Sequence, residues 1–285
     1  MSEHPHASDA PSGPLSGRTV LMSGGSRGIG LAIAVAAARQ GADVALMAKT
    51  DAPHPTLEGT VHTAAAAIEA AGGGALALVG DVRSDDDVQR AVDATLERFG
   101  RIDVVVNNAS AIDLSSTPDV SMKRYDLMQD INVRGTFLLS KLAIPALRAS
   151  DNAHILTLSP PLNLDPKWAG AHLAYTMAKY GMSLTTLGLA EELRADGIAV
   201  NSLWPATLVD TAAIRAMPGG ERLIQAARTP QIVADAAVAV LARPASGCTG
   251  NFFTDEQVLA EEGITDLEAY RSGPAGAPLV PDIFL

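Results

Sequence analysis

The sequence predicts an α/β fold, a single doubly wound parallel sheet of about seven strands with helices on both faces. Short apolar or β-branched runs alternate with longer amphipathic segments, which is the pattern of repeated strand–helix units. Hydrophobic residues form 47% of the chain but aromatic residues only 4%, so the core must consist mainly of aliphatic side chains on closely packed elements. A length of 285 residues suits one large α/β domain.

Seven short aliphatic runs have the composition of buried strands. If each is followed by a helix, the strands lie parallel in one sheet. The predicted strands are Thr19–Met22, Asp43–Met47, Ala75–Val79, Val104–Asn107, His154–Leu158, Ala199–Trp204 and Asn251–Thr254.

The longer segments between these runs are predicted to be helices. Two of them carry clear start signals, because Ser84 precedes three aspartates and Thr229 precedes a proline at the first helical position. The predicted helices are Ile29–Gln40, Thr63–Ala71, Asp85–Phe99, Arg124–Ala149, His172–Ala195 and Gln231–Ala242.

A glycine-rich turn lies between the first predicted strand and the first predicted helix. It reads Gly24-Gly25-Ser26-Arg27-Gly28-Ile29-Gly30. Gly24 can take a backbone conformation barred to larger residues, Gly28 lets the chain approach a phosphate, and Gly30 lets the helix sit close to the strand. The spacing alone is a weak signal, but in this position it predicts a dinucleotide pyrophosphate site at a helix N-terminus.

Tyr175 and Lys179 form a second pattern. On a helix that begins near His172 they lie four positions apart, on the same face and one turn from each other. The ammonium favours the phenolate, so we expect it to lower the tyrosine pKa from its usual value of about 10. Tyr175 is then predicted to protonate an alkoxide during reduction and to act as base during oxidation. A bare Tyr-x-x-x-Lys is more often a packed tyrosine and a solvated lysine.

Three motifs together make the chain resemble the short-chain dehydrogenase/reductase family. They are Gly24-x-x-x-Gly28-x-Gly30, Asn107-Asn108-Ala109 and Tyr175-x-x-x-Lys179. The resemblance covers roughly residues 17–255 and leaves a C-terminal extension after about 255. It implies a Rossmann-type fold, a nicotinamide cofactor held by the seven residues of the glycine turn, and hydride transfer to or from an alcohol or carbonyl group. It also implies a homo-oligomer, a dimer or tetramer, because the family's long helices often pair between subunits.

The resemblance also implies roles for residues outside the glycine turn. Lys179 would hydrogen-bond the nicotinamide ribose, and Asn132 would help to hold a water for proton relay behind the lysine. Asp81 would touch the adenine, while Asn107 and Ala109 would line the adenosine end of the groove. The alternatives are an ordinary buried, hydrogen-bonded Asn132 and a helix-capping or loop Asp81.

The family's catalytic serine is the point where this sequence departs from the pattern. Relatives place that serine 13 residues before the tyrosine, and Leu162 stands there. Ser159 lies 16 residues before Tyr175 and is predicted as the donor to the substrate oxygen if the following loop carries about three extra residues. Asn163 is a rival donor, and a plain strand-terminal serine is the alternative interpretation of Ser159.

Charge near the adenosine ribose predicts which nicotinamide cofactor is used. An acidic residue there accepts the ribose hydroxyls and repels an added phosphate, but the second strand ends in Met47-Ala48-Lys49. Arg27 in the glycine turn offers a second cation, so a 2′-phosphate could be neutralised from two sides. The sequence thus favours NADP over NAD, and the alternative is that Lys49 and Arg27 are solvated surface cations.

Two loops are expected to shape the substrate site, because they lie beyond the carboxyl ends of strands. They are Ser159–Ala171 and Thr207–Arg228. Each contains apolar side chains that would either face a hydrophobic substrate or pack inside a closed lid; these are Leu164, Trp168, Ile214 and Met217.

Composition excludes several other classes of protein. A formal net charge of −11 disfavours binding to nucleic acid or anionic membrane. The single cysteine, Cys248, cannot form an internal disulfide, and no histidine or cysteine cluster predicts a metal site. Residues 1–16 are expected to form a disordered arm before a domain at 17–285, and no secretory signal or apolar spanning run is present. A cytoplasmic location is expected.

The combined prediction is an NADP-dependent oxidoreductase that transfers a hydride between the nicotinamide and an alcohol or carbonyl substrate of hydrophobic character, such as a lipid, steroid or terpenoid. A second class stays open, in which the same fold binds NADP(H) as a sensor or partner-binding module with little turnover. The irregular serine region keeps that alternative open, while Tyr175, Lys179 and Asn132 weigh against it.

Overall fold

The protein folds around one parallel sheet. The structure is a computed structural model that describes residues 13–53 and 58–285. Its strands occur in the order β3-β2-β1-β4-β5-β6-β7, and every neighbouring pair is parallel. This confirms the predicted doubly wound sheet. The strands are β1 Thr19–Ser23, β2 Asp43–Ala48, β3 Ala75–Val79, β4 Val104–Asn107, β5 His154–Thr157, β6 Ala199–Trp204 and β7 Phe252–Thr254.

Helices connect the strands and cover both faces of the sheet. The long ones follow the predictions closely, and four short ones lie in segments that were predicted as loops or as the C-terminal extension. The helices are α1 Gly28–Arg39, α2 Val61–Ala70, α3 Asp85–Phe99, α4 Met122–Met128, α5 Gly135–Leu147, α6 Pro166–Ala171, α7 Leu173–Glu192, α8 Ala212–Arg215, α9 Gly220–Leu223, α10 Gln231–Ala242 and α11 Asp255–Glu261.

The predicted single helix Arg124–Ala149 is wrong in its middle. A π-helical turn, Gln129–Arg134, separates α4 from α5. This turn contains Asn132, whose side chain bonds to backbone outside the helix rather than facing solvent. Such insertions are frequent at functional sites.

Alternate residues of each central strand pack against opposite helical layers. On β1, Val20 and Met22 belong to the layer that includes α1 and α10, while Leu21 belongs to the layer that includes α3, α5 and α7. The period of two along a strand requires this division. Alanines dominate the facing side of α1, which lets that helix lie close to the sheet.

The chain reverses its winding between β1 and β4. From β1 it proceeds outward through β2 and β3, and it then returns to place β4 on the other side of β1. Helices that leave the sheet in opposite directions open a crevice at the carboxyl ends of these two strands. The residues that bind or react are therefore expected at this edge.

Both ends of the described chain pack on the domain. Residues 1–12 of the predicted arm lie outside the described residues, but Leu15 is fully buried and its N–H donates to Gln40 O at 3.1 Å. Packing therefore begins before residue 17, contrary to the predicted arm. At the other end, Phe284 has no exposed surface although its φ is +78°.

The lone cysteine is part of the interior rather than of the crevice. Cys248 is free and 5% exposed, and its carbonyl accepts a hydrogen bond from Asn201 Nδ2. Burial raises the pKa of its thiol. Within the described residues, no helix combines the length and the apolar character needed to cross a membrane.

Candidate active site

A cavity of about 620 Å³ opens at the carboxyl edge of the sheet, at the reversal between β1 and β4. The glycine turn lines one part of it, and Tyr175 and Lys179 line another. The ends of β2, β4 and β6 and the α8 region complete the walls. The fold thus gathers motifs that are about 150 residues apart in the chain.

Close packing explains two glycines of the turn. Gly24 has a φ of +74°, and a Cβ there would lie 2.8 Å from the backbone of Ala109. A Cβ at Gly30 would overlap Asn108 Nδ2, which donates to Gly24 O at 2.8 Å. Any larger residue would separate β1, α1 and the segment after β4.

The N-terminus of α1 faces the cavity. Arg27, Gly28, Ile29 and Gly30 line it, and within the described chain no side chain caps this helix. The first turn also lacks an acidic residue. Its free N–H groups and positive dipole end therefore fit a pyrophosphate.

The other two residues of the glycine turn lie beneath it. Gly25 packs against Met22 and Leu46, where a Cβ would meet Met22 Sδ at 3.0 Å. Ser26 is 6% exposed, and neither residue is part of the cavity wall. Gly25 and Ser26 therefore shape the turn without contacting the cavity.

An ion-pair cluster lies at the end of β2 and β3. Lys49 Nζ is 3.2 Å from Asp81 Oδ2, and Arg83 Nη2 is 2.6 Å from the same oxygen. The hydrogen bond from Arg83 holds the pKa of the Asp81 carboxyl well below its usual range. Lys49 and Asp81 both line the cavity, and the Lys49 side chain is 60% exposed.

Arg27 extends along the cavity rim toward the same end. Its Nη2 donates to Thr50 Oγ1 at 3.1 Å and to Gly59 O at 2.8 Å, while its buried Nε has no partner among the described residues. These bonds orient the guanidinium. Arg27 and Lys49 thus bring two cations to one end of the cavity.

The residues after β4 divide between the cavity and the core. Asn107 is 1% exposed and donates to Ser140 Oγ at 2.9 Å, so the structure places its side chain under the sheet edge and outside the cavity wall. Asn108 and Ala109 line the cavity instead. The predicted position of Asn107 in the cavity wall is therefore wrong, and its neighbour Asn108 occupies that position.

Tyr175 and Lys179 lie on one face of α7, as their spacing predicts. Both are almost fully buried, at 4% and 3% exposure, and both line the cavity. Lys179 Nζ donates to Leu158 O at 2.9 Å and lies 5.0 Å from the centre of the Trp204 ring. The lysine is thus held by the carbonyl just after β5 and by the ring at the end of β6.

The expected fall in the Tyr175 pKa is wrong for the protein alone. Burial raises the pKa of this phenol above its usual value, and the carboxylate of Asp282 raises it further. Burial lowers the pKa of Lys179 to about 7. In a cavity with these walls, the loss of hydration outweighs the effect of the neighbouring ammonium.

Asn132 is bound to backbone at both ends of its amide. Its Oδ1 accepts from Ala111 N at 2.7 Å, and its Nδ2 donates to Ala111 O at 3.0 Å. The side chain is fully buried and lies outside the cavity wall. It fixes the segment that follows β4, which matches the alternative interpretation of a buried, hydrogen-bonded asparagine.

Ser159 does not face the cavity, so its predicted role as donor to the substrate oxygen is corrected. It is fully buried, and its Oγ lies 2.8 Å from Ser202 Oγ, which in turn bonds Thr186. The chain turns immediately after β5, and the hydroxyl points toward β6 and α7. Asn163, the rival donor, bonds the carbonyl of Phe284 at 3.3 Å.

The wall near Tyr175 is mostly apolar. Ile214 and Met217, two of the predicted substrate-facing residues, line it. The other two do not: Trp168 packs on Phe284 at 5.9 Å between ring centres, and Leu164 is 84% exposed. Further apolar residues of the wall are Leu114, Leu158, Trp204, Leu208, Leu223 and Ile283.

Asp282 also lines the cavity near Tyr175 and Lys179, although no sequence motif predicts it. It enters from the C-terminal segment, more than 100 residues away in the chain. One acid among the apolar residues of Val280-Pro281-Asp282-Ile283-Phe284 was the available signal. A local pattern does not reveal where such a segment packs.

Comparison with known proteins gives consistent matches. A protein-family model described as enoyl-(acyl carrier protein) reductase matches residues 24–255. Hydroxysteroid dehydrogenase-like protein 2 of Xenopus tropicalis is 54% identical over 273 residues, which is 96% of this chain and 64% of that protein. The human protein of that name is 52% identical with the same coverage. The chain thus spans just under two thirds of the length of these curated relatives.

Solved structures match along nearly the whole chain. A short chain dehydrogenase of Mycobacterium thermoresistibile superposes with a TM-score of 0.90 at 54% identity, covering 95% of this chain and 96% of that one. A short-chain dehydrogenase/reductase of Serratia marcescens gives a TM-score of 0.73 at 29% identity, covering 85% and 97% respectively.

Proposed function

The chain belongs to the short-chain dehydrogenase/reductase family, and from this premise we propose that it is an NADP-dependent oxidoreductase acting on hydrophobic alcohols or carbonyl compounds. Members of the family use NAD or NADP. The observation that carries the proposal is one apolar cavity with Tyr175 and Lys179 at one end and with Arg27, Lys49 and the uncapped α1 N-terminus at the other. A cofactor and a substrate meeting in this cavity would lie end to end.

In the proposed reaction, Tyr175, Lys179 and the apolar walls have separate roles. A bound nicotinamide cofactor supplies or accepts the hydride. The Tyr175 hydroxyl gives its proton to the substrate oxygen during reduction and takes it back during oxidation. The Lys179 ammonium, held by Leu158 O, favours the phenolate and so assists the proton's departure. The apolar walls exclude water and strengthen these electrostatic effects.

The choice of NADP rests on charge at the far end of the cavity. No acidic residue ends β2, where one would bind the ribose hydroxyls of NAD. Lys49 and Arg27 stand there instead, with Thr50 bonded to Arg27. Lys49 already pairs with Asp81, so a phosphate would share an existing cluster rather than meet a bare cation.

The proposed substrate is uncharged and hydrophobic. The wall near Tyr175 is built from aliphatic residues and Trp204, and apolar surface of this kind favours apolar ligands. The printed name of the relatives, hydroxysteroid dehydrogenase-like, agrees with a bulky lipid-like alcohol or ketone. A steroid, terpenoid or fatty carbonyl fits these walls.

The test measures NADPH consumption with a panel of ketones, aldehydes, and steroid and fatty carbonyls. Tyr175→Phe is expected to lower the rate by roughly 100-fold or more, because general acid catalysis contributes factors of that size. Tyr270→Phe is the matched control, since its hydroxyl bonds Asp235 outside the cavity. Equal rates for wild type and Tyr175→Phe would defeat the mechanism. Tight NADPH binding without turnover of any compound would favour the sensor or partner-binding alternative.

A homo-oligomer is part of the proposal. Large apolar side chains are exposed on α5 and α7, including Phe137 at 53%, Leu184 at 57% and Leu187 at 49%. A second copy of the chain would cover such a surface, because monomers rarely expose a contiguous apolar patch of large size. Light scattering is expected to give a dimer or tetramer that Leu187→Glu dissociates and Leu164→Glu, changed at an exposed site outside α5 and α7, does not. A monomeric wild type would contradict this.

We also assign the protein to the cytoplasm. The free, buried Cys248 is typical of a compartment where thiols stay reduced. Cell fractionation checks this assignment, and recovery in a membrane or organelle fraction would contradict it.

A further inference from the structure

The C-terminal segment is attached to the rim of the cavity by a series of hydrogen bonds. Val280 N donates to Ala226 O at 2.9 Å, and Asp282 N donates to Ala206 O at 3.1 Å. Trp204 Nε1 donates to Ile283 O at 3.0 Å. These contacts lie before, at and after Asp282, so they fix the backbone on both sides of its carboxylate.

Phe284 anchors this segment in the core. Its φ of +78° lies in a region that bulky residues rarely occupy, yet the ring has no exposed surface. Packing therefore determines the conformation of the segment. The ring lies 5.3–6.1 Å, centre to centre, from four aromatic rings, namely Trp168, Tyr175, Tyr180 and Trp204.

The docked segment brings one carboxylate into the catalytic cavity. Asp282 Oδ1 accepts a hydrogen bond from Ile283 N at 2.7 Å, which orients the group. Asp282 lines the same cavity as Tyr175 and Lys179. A second carboxyl, Asp255, lies close enough to raise the pKa of Asp282, and its Oδ1 accepts a hydrogen bond from Ala206 N at 2.9 Å.

Lys179 has few neighbours that can balance its charge. Its Nζ contacts a carbonyl, a methionine sulfur and the face of the Trp204 ring, all of which are neutral. Among the described residues, the charged group that acts on it is the Asp282 carboxylate on the C-terminal segment, and the titratable Tyr175 lies one turn away on its own helix. An ammonium with 3% exposure needs a counter-charge to stay protonated.

We propose that Asp282 is a positioning residue that acts through Lys179: its carboxylate supplies the counter-charge that keeps the lysine protonated, so a competent active site requires the docked C-terminal segment. The effect on catalysis rests on the proposed function; the effect on Lys179 does not. Asp282 and Lys179 line the same cavity, and Phe284 and the three hydrogen bonds of the segment hold the carboxylate there.

The pKa directions agree with this geometry. Burial lowers the pKa of Lys179 to about 7, and the Asp282 carboxylate opposes that fall. Burial likewise raises the pKa of Asp282 to about 7, and the Lys179 ammonium opposes that rise. Removing the carboxylate therefore lowers the pKa of Lys179 further, and the ammonium is lost at a lower pH.

The direct test follows Lys179 by ¹³C NMR of the lysine Cε in the full chain without added cofactor. The chain has only five lysines, and the Lys179→Met spectrum identifies the signal. Asp282→Asn keeps an oxygen for the bond from Ile283 N but removes the charge. We expect its Lys179 midpoint to move to lower pH by roughly one unit, the size of a neighbouring-charge effect, and Asp282→Glu to restore much of the shift.

A matched variant controls for general effects of charge. Asp266 is an exposed acid in the same C-terminal extension, and its Oδ1 accepts from Glu268 N at 3.1 Å. Asp266→Asn is expected to leave the Lys179 midpoint unchanged. An equal midpoint in Asp282→Asn and wild type would overturn the proposal, whatever the activity of either protein.

The second test is the pH profile of carbonyl reduction by the enzyme with saturating NADPH. The alkaline limb, where Lys179 loses its proton, is expected to move to lower pH in Asp282→Asn and to return in Asp282→Glu. A uniformly lower rate without movement of the limb would mean a merely structural role and would overturn the proposal. A wild type without turnover would instead defeat the proposed function, and the NMR midpoint would still decide the role of Asp282.

Discussion

At the scale of single residues, the motifs located the cavity correctly but not every side chain within it. Gly24 and Gly30 are required by contacts that their spacing anticipates. Asn107 and Asn108 show the limit, because consecutive residues at a strand end point in opposite directions. The sequence could not decide which of the two faces the cavity, since that depends on where β4 ends.

Ser159 shows the same limit for a loop. Its distance from Tyr175 in the sequence suggested a donor to substrate, but the structure bonds it to Ser202 on β6. The direction of a side chain after a strand depends on the first turn of the loop. Residue types do not fix that turn when two prolines follow.

Lys49→Glu is expected to lower the preference for NADPH over NADH. It removes a cation from the end of the cavity proposed to hold the 2′-phosphate and adds an acid beside Asp81. Loss of a charge-assisted bond costs roughly 1.5–3 kcal/mol, so kcat/KM for NADPH should fall about tenfold or more while that for NADH changes little. Lys123→Glu, an exposed lysine on α4, is the control. An equal fall for both cofactors would contradict the assignment of Lys49 to the 2′-phosphate.

At the scale of elements, strands were predicted almost to the residue and long helices nearly as well. Their periodicity is local, so it can be read from the sequence. The π-helical turn around Asn132 depends instead on the Ala111 backbone, more than 20 residues away. The short helices α8 and α9 carry too few residues to show a period.

The C-terminal segment was the element that the sequence analysis could not place. Its contacts are with Ala206, Ala226 and the aromatic rings around Phe284, all distant in the chain. A segment without helical or strand period gives no local sign of such partners. Packing at long range, rather than propensity, decides its position.

Phe284→Ala is expected to release this segment while the sheet stays folded. Full burial of a phenylalanine contributes roughly 1.5–3 kcal/mol, and its loss should lower the protection of the Val280 and Asp282 amides against hydrogen exchange about 10- to 100-fold. Leu285→Ala, a neighbouring exposed position, should have little effect. Global unfolding of Phe284→Ala under native conditions would show that the segment is not a separate unit.

At the scale of the whole molecule, sheet order and layers followed from the alternation of strands and helices. The sequence could not predict how burial changes the pKa values of the side chains in the cavity. The expected fall of the Tyr175 pKa considered only Lys179, whereas the completed cavity removes water from the phenol and adds Asp282. Both effects require the folded chain.

A buried histidine makes the stability of the molecule depend on pH. His154 on β5 is 1% exposed, and burial, with Arg18 nearby, lowers its pKa from 6.5 to about 4. Between pH 6.5 and about pH 4, the unfolded chain binds a proton at His154 that the folded chain does not bind. The free energy of unfolding therefore falls as the pH drops below 6.5.

The variant His154→Gln isolates this contribution, since glutamine keeps a donor for the Arg243 carbonyl. From pH 7 to pH 5, the wild type is expected to lose about 2 kcal/mol of its free energy of unfolding relative to the variant, at 1.36 kcal/mol per pKa unit. Urea titrations at both pH values measure it. A difference that stays constant between the two pH values would mean that folding does not lower the pKa of the His154 imidazole.

The burial of Cys248 allows a dye to be attached selectively to a second cysteine introduced elsewhere in the chain. Its thiol is buried and has a raised pKa, so it reacts slowly with alkylating dyes. A cysteine introduced at the partly exposed Val280 would then be the thiol that reacts fast. A fluorophore attached there would report when the C-terminal segment detaches from the rim of the cavity.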